Sequence, residues 1–156
     1  MAEELFSACI ERICADVAEA LKGCDPAPTV SVGGSKVQQP FEVLVRETVK
    51  SVDFSDDVTS RAVMGAVRGS YRVSFTVDVE MWAKSVKLTD ASYATLEWFH
   101  CVCAAIGADK TLGGLCIHAE PVFSSSGTAL TQNKYMAAIQ AGVRVKAEIP
   151  FAEKED

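Results

Sequence analysis

The sequence predicts an α+β fold: a mainly antiparallel sheet of about four strands, two helices packed on one of its faces, element order α-β-β-α-β-β, and one projecting β-hairpin. Three observations predict it. Two segments repeat apolar residues at the helical period, two others alternate apolar and polar residues at the strand period, and glycines with polar clusters separate them. The 156 residues, 49% of them hydrophobic, fit a single domain spanning 1–156. A chain of that size buries roughly 70% of its unfolded surface and needs no covalent staple.

Each element has its own signal. Residues 3–22 place Leu5, Phe6, Cys9, Ile10, Ile13, Val17 and Leu21 on one half of a helical wheel, with Glu3 and Glu4 where the helix dipole favours negative charge. "CDPAPTVSVGGSKVQQP" reads as a loop holding a short strand at Val30–Val32, and "FEVLVRETVK" (Phe41–Lys50) as a β-branched strand. In "YRVSFTVDVEMWAKS" the apolar side chains Tyr71, Val73, Phe75, Val77, Val79, Met81 and Ala83 alternate with polar ones, Trp82 excepted. The parity continues back towards Arg61, a reach of about 80 Å at roughly 3.3 Å per residue. That exceeds a core of this size, so the chain is expected to bend at Gly65 or Gly69, or to project as an arm with "DFSDD" (Asp53–Asp57) at its tip.

Thr89 is placed to cap a second helix over 90–106 that Gly107 ends. This helix carries two apolar stripes, Leu96, Phe99, Cys103 and Ile106 on one side and Ala94, Trp98, Cys101 and Ala105 nearly opposite. One stripe is expected to face the sheet and the other to need the first helix or a neighbouring subunit. Gly113 and Gly114 supply positive φ where the chain turns into the strand "LCIHAEPVF", in which Leu115, Ile117, Ala119, Pro121 and Phe123 form the buried face. Pro121 marks that strand as an edge. "SSSGTALTQNK" reads as a polar loop, Tyr135–Ile149 as a final alternating strand, and the charged tail at 152–156 is expected to fray.

Composition excludes several functions. A formal charge of −6 without any Lys/Arg cluster gives no stripe able to displace nucleic-acid counterions. No apolar run is long enough to span a bilayer, and the acidic N-terminus does not resemble a secretory signal, so a cytosolic chain with no membrane partner is expected. In that compartment the six cysteines (Cys9, Cys14, Cys24, Cys101, Cys103 and Cys116) are expected to stay reduced and to behave as small hydrophobes.

The chemical constellations are weak. His100, Cys101 and Cys103 with Cys116 and His118 are the right donors for zinc, but the predicted faces place the two groups on opposite sides of the sheet. Cys116, His118 and Glu120 share one strand face, which suits an exposed surface better than a nucleophile and its base, since no nucleophile elbow accompanies them. "VGGSK" lacks the phosphate-loop spacing and leads into no helix. "DFSDD" lacks the glycine and glutamate of a calcium loop. No catalytic residue, metal ligand or cofactor is expected.

The organisation of the chain resembles the tail terminator or tail-completion (minor capsid) proteins of tailed bacteriophages and prophages. The likeness is carried by "ELFSACIERICADVAEAL", the hairpin from "PFEVLVRE" to "YRVSFTVDVEMWAK", "DASYATLEWFHCVCAAIG", the junction "DKTLGGLCIHAEPVF" and "KYMAAIQAGVRVKAEI". It implies a non-enzymatic structural subunit, assembled in the bacterial host cytoplasm into a ring, commonly a hexamer, at the head-tail junction of the virion. There the ring caps the tail tube, with tail-tube and head completion proteins as partners. The contacts expected with a neighbouring copy or partner are Asp56, Asp57, Arg61 and Arg68 of the arm, the "SSSGTALTQN" loop, and Trp98. The alternative is a small cytosolic α+β ligand- or metal-binding protein that uses the Cys116, His118 and Glu120 face. An enzyme whose site forms between subunits is a third reading.

Overall fold

The computed structural model describes the backbone of residues 2–33, 40–54, 59–63 and 66–150. It is α+β, with elements in the order α1 (Ala2–Leu21), β1 (Thr29–Val32), β2 (Phe41–Phe54), β3 (Thr59–Val63), β4 (Ala66–Ser85), α2 (Leu88–Ala108), β5 (His118–Thr131) and β6 (Lys134–Pro150). Five strands cross the sheet in the order β1-β2-β4-β6-β5, and a sixth, β3, pairs with β4. The sheet is therefore larger than the predicted four strands and is mixed, because β1 runs parallel to β2. Both predicted helices are present on the face that holds the core.

That core follows from strand parity. Val73, Phe75, Val77, Val79, Met81 and Ala83 of β4 are buried beside Ala137, Ile139, Ala141, Val143, Val145, Ala147 and Ile149 of β6. These are the odd-numbered positions that the alternation assigned to the interior, and the β4–β6 register sets them opposite one another. α1 adds Cys9, Ile10, Ile13, Val17 and Leu21, whose three- and four-residue spacing keeps them on one stripe. Each fully buried Ile, Val or Leu among these contributes roughly 1.5–3 kcal/mol of transfer free energy. Phe6 of α1 meets Phe75 edge-on, with ring centroids 4.7 Å apart.

α2 differs from expectation. Its buried residues are Ala91, Ala94, Thr95, Trp98, Val102 and Ile106, so the Trp98 stripe faces inward, while Leu96 remains 55% exposed. Lys87 stands at the N-cap without a side-chain bond, and the helix continues through Gly107 to a cap at Asp109, so neither Thr89 nor Gly107 marks an end. The helix is two residues longer at each end than expected, taking in Leu88 and Thr89 before it and Gly107 and Ala108 after it.

Of the two outcomes expected for the arm, the pairing fits the bend near Gly65: β3 and β4 run antiparallel from Thr59 opposite Ser70 to Val63 opposite Ala66, while residues 55–57 of "DFSDD" lie outside the described residues. Among the described residues β4 pairs with β3 alone from Ala66 to Gly69, because the β4–β6 ladder stops at Ser70 opposite Pro150. "SSSGTALT" is not a loop: from Ser125 to Thr131 it pairs with β6, and the chain turns at Gln132 and Asn133, both at positive φ. Two consecutive residues in the left-handed region make the tight hairpin turn whose twist matches the flanking strands.

The sheet face away from the helices is not simply acidic. Arg46 Nη2 lies 2.6 Å from Glu80 Oε1, Lys50 Nζ lies 3.1 Å from Asp78 Oδ1, and the register sets Arg72 opposite Glu148 and Glu120 opposite Arg144. Gly142 lets this face close up, since a methyl there would come within 2.9 Å of Thr76 Cγ2 and 3.0 Å of the Val77 carbonyl oxygen.

Candidate functional site

The residues expected to contact a neighbour separate into three groups. Asp56 and Asp57 lie outside the described residues. Arg61 and Arg68 are Cα partners in the β3–β4 ladder, which brings them to one rung of the projecting hairpin. Trp98 is not a contact residue: it is 0% exposed within its own chain, its indole Nε1 donates to the Pro26 carbonyl at 2.9 Å, and its ring meets Phe41 edge-on at 6.1 Å. Of the two covers expected for this stripe, the first helix or a neighbouring subunit, the chain supplies its own, with the loop after α1 and Phe41 of β2 closing over the indole.

Nor do Cys116, His118 and Glu120 form one strand face. Ladder pairing begins at His118, so Cys116 belongs to the preceding turn, where its thiol points to the Lys110 carbonyl at 3.8 Å and packs on the core. His118 Nε2 and Glu120 Oε1 stand 3.5 Å apart with nearly half of each side chain exposed. The same turn explains why Leu115 and Ile117 are 36% and 47% exposed instead of buried, since Leu112, Gly113 and Gly114 all take positive φ and break the alternation. Phe123 is likewise 55% exposed.

A concavity of about 880 Å³ lies between the end of α1, the loop after it and α2. Cys24, Asp25, Asp90, Tyr93, Glu97 and Cys101 are on its wall. The Cys24 and Cys101 sulfurs are 3.9 Å apart, and the Cys101 thiol reaches towards Glu97 Oε2 at 3.7 Å. Burial, then Cys24 and Glu97, push the Cys101 thiol up to about 11. Burial pushes Cys9 up to about 12 and raises Cys14, Cys103 and Cys116 as well. A nucleophilic or metal-binding cysteine needs the opposite shift. Among the described residues no three His, Cys, Asp or Glu side chains gather as a ligand set for a metal ion.

A further polar cluster ties α1 to the junction after α2. Arg12 Nε donates to Asp109 Oδ2 at 2.8 Å and lies 3.6 Å from Asp16 Oδ1. Asp109 Oδ1 accepts from the Gly113 amide at 3.0 Å. Gly113 has φ +71°, and a methyl on it would stand 3.0 Å from Arg12 Cζ, so glycine serves both the turn and the close approach. Asp16 Oδ2 is buried with no hydrogen-bond partner among the described residues.

Burial, then the hydrogen bond to Asp109 and its charge, push the Asp16 carboxyl up to about 6, while the bonds from Asp16 and Arg12 hold Asp109 below its usual range. A carboxyl group raised above its ordinary 3.8 is favoured in its protonated form by folding. Its stabilising contribution is complete at low pH and lost as pH rises through about 6. The Asp109 contribution has the opposite sign and is lost only in stronger acid. Asp16→Asn is therefore expected to raise the melting temperature by a few degrees at pH 7.5, with the difference from wild type narrowed at pH 5 and closed only below the ordinary 3.8. An offset equal at both pH values would refute it.

Local sequence signals could not find these sites. Arg12 and Asp109 are 97 residues apart, and Cys24 and Cys101 are 77 apart. Only the positive-φ glycines after Asp109 hinted that something approaches that turn. No helix among the described residues is long and apolar enough to cross a membrane. No protein-family model matches the chain, and no curated protein matches its sequence.

Proposed function

We propose that this chain is a non-enzymatic structural subunit of a phage or prophage tail, which closes into a ring, caps the tail tube and joins it to head completion proteins. The observation that carries the reading is the β3–β4 hairpin, whose rungs from Ala66 to Gly69 have no third strand beside them among the described residues. A two-stranded hairpin is marginal by itself in water and gains most from packing against another chain. Arg61 and Arg68 at one rung put two positive charges on an otherwise acidic protein. Asp56 and Asp57 of an adjacent copy are suitable counter-charges, and a contact between different patches of successive copies closes a ring when its rotation divides the circle.

The test is the mass and shape of the purified chain, alone and with tubes of a phage tail-tube protein. Discrete rings, six-fold by the resemblance, are expected by mass photometry and negative-stain imaging when tubes are present, seated on tube ends. Paired Arg61→Glu and Arg68→Glu substitutions are expected to abolish the rings without changing the circular dichroism spectrum. A chain that stays monomeric both alone and with tubes overturns the reading.

A further inference from the structure

β5 is an edge strand with an unguarded rim. It has β6 on one side and no strand on the other among the described residues. Natural edges carry charges, prolines or covering loops, because unpaired N–H and C=O groups recruit any strand that approaches. From Val122 to Thr131 β5 has no charged residue and no proline, and most of it is Ser, Thr, Gly and Ala. The opposite rim of the sheet, β1, has only four residues, so its shortness guards it.

Exposed apolar side chains accompany this rim. Phe123 is 55% exposed and Leu130 63%; Leu96 of α2, 55% exposed, lines a groove of about 330 Å³ between α2 and Ser126–Thr128, and the Phe123 ring meets Phe99 of α2 edge-on at 5.8 Å. The β6 partners of Phe123 and Leu130 are Ala141 and Tyr135, both odd positions, so the two side chains share the helix side of the sheet. Ser124 is an extra residue, because β6 pairs Phe123 with Ala141 and Ser125 with the next residue, Gln140. Phe123 thus occupies the rung next to Ser125.

We infer that β5 pairs antiparallel with β5 of a second copy, around a two-fold axis at Gly127, with Phe123 of each copy set against Leu130 of the other. In that register Ser126 meets Thr128 and Ser125 meets Ala129, so every opposed pair lies on one side of the sheet, as an antiparallel ladder requires. The rim is self-complementary. Ser126 sets its hydroxyl against that of Thr128, glycine on the axis admits close approach, and two symmetry-related Phe–Leu contacts flank it. The seam itself contains no charge, while each chain carries −6, so screening by salt strengthens the dimer instead of weakening it.

This contact is separate from the hairpin contact of the proposed ring, and the two are read apart. The experiment is sedimentation of the full chain without tube protein. Wild type is expected to sediment as a concentration-dependent dimer, tighter at higher salt. Phe123→Lys and Leu130→Asp are each expected to weaken it about tenfold or more. An equimolar mixture of the two variants is expected to recover heterodimers, since the axis sets Lys of one copy against Asp of the other and leaves the second Phe–Leu contact intact. Phe123→Lys also gives up the edge contact of Phe123 with Phe99 of α2 at 5.8 Å, so the Leu130→Asp monomer is expected to keep the wild-type melting temperature and the Phe123→Lys monomer to melt slightly lower, each with the wild-type circular dichroism spectrum. A monomeric wild type, an unchanged dimer in either variant, or a mixture that stays monomeric overturns the inference. Rings that survive both substitutions speak for the hairpin contact alone.

Discussion

Trp98→Ala lowers the stability of the fold by about 3–5 kcal/mol, a large share of the roughly 5–15 kcal/mol that separates a domain from its unfolded state. Three terms add in the same direction. The indole is 0% exposed and its removal leaves a void under α2. The edge contact with Phe41, at 6.1 Å and 85° between planes, is lost. The Pro26 carbonyl loses the N–H that reaches it at 2.9 Å. Trp98→Phe separates the terms, because the ring volume is largely kept while the hydrogen bond is not; its expected loss is about 1–3 kcal/mol. Urea unfolding of the three proteins gives the comparison, with unchanged slope and midpoints in the order wild type, Phe, Ala. A loss below about 1 kcal/mol for Trp98→Ala would mean that the ring is not buried in its own chain, which would restore it as a contact for a neighbour.

That residue also shows where reading from sequence stops. A helix with two apolar stripes says that both are covered, and the residues of α2 do not say by what. The answer lies in α1 and the loop after it, more than seventy positions away by the Trp98–Pro26 bond. β4 and β6 were legible to the residue, because each has one side in the core and one in polar surroundings, and the period of two then leaves no freedom. The strand "LCIHAEPVF" was misread at its start, because alternation was carried back through a turn in which three successive residues take positive φ. Pairing with β6 begins only where the Ile117 amide reaches the Lys146 carbonyl. "SSSGTALT" has the composition of a loop and becomes a strand through its partner, since a strand's own propensity is weaker than the ladder offered to it. The same weakness of side-chain character leaves its outer rim unguarded.

The polar face could be read as polar but not as paired. Arg46 and Glu80 each fall on the outward parity of their strands, yet which cation meets which anion depends on the irregular register of β2, which shifts between Val45 and Val49. The bulge brings Arg46 diagonally to Glu80, one ladder step from Leu44, instead of leaving it opposite Asp78.

Breaking this pair from its two ends is expected to give unequal results. Nε and Nη2 of Arg46 bond to Oε2 and Oε1 of Glu80 at 2.8 and 2.6 Å, a bidentate fork, with only 12% of the Glu80 side chain exposed. Arg46→Met strands a nearly buried carboxylate and is expected to cost about 3 kcal/mol, the low end for a broken buried pair because 29% of the Arg46 side chain reaches solvent. Glu80→Leu is expected to cost less, since the freed guanidinium retains the field of Asp78 and a route to water. The double variant removes both desolvated charges and is expected to lie within about 1 kcal/mol of wild type, giving a coupling energy of about 2 kcal/mol or more in a double-mutant cycle. Strict additivity would show that the pair is held in a wet surface where neither charge depends on the other. The sheet base of the projecting hairpin would then owe its register to the core-facing valines alone, and the double variant would unfold as readily as the sum of its parts.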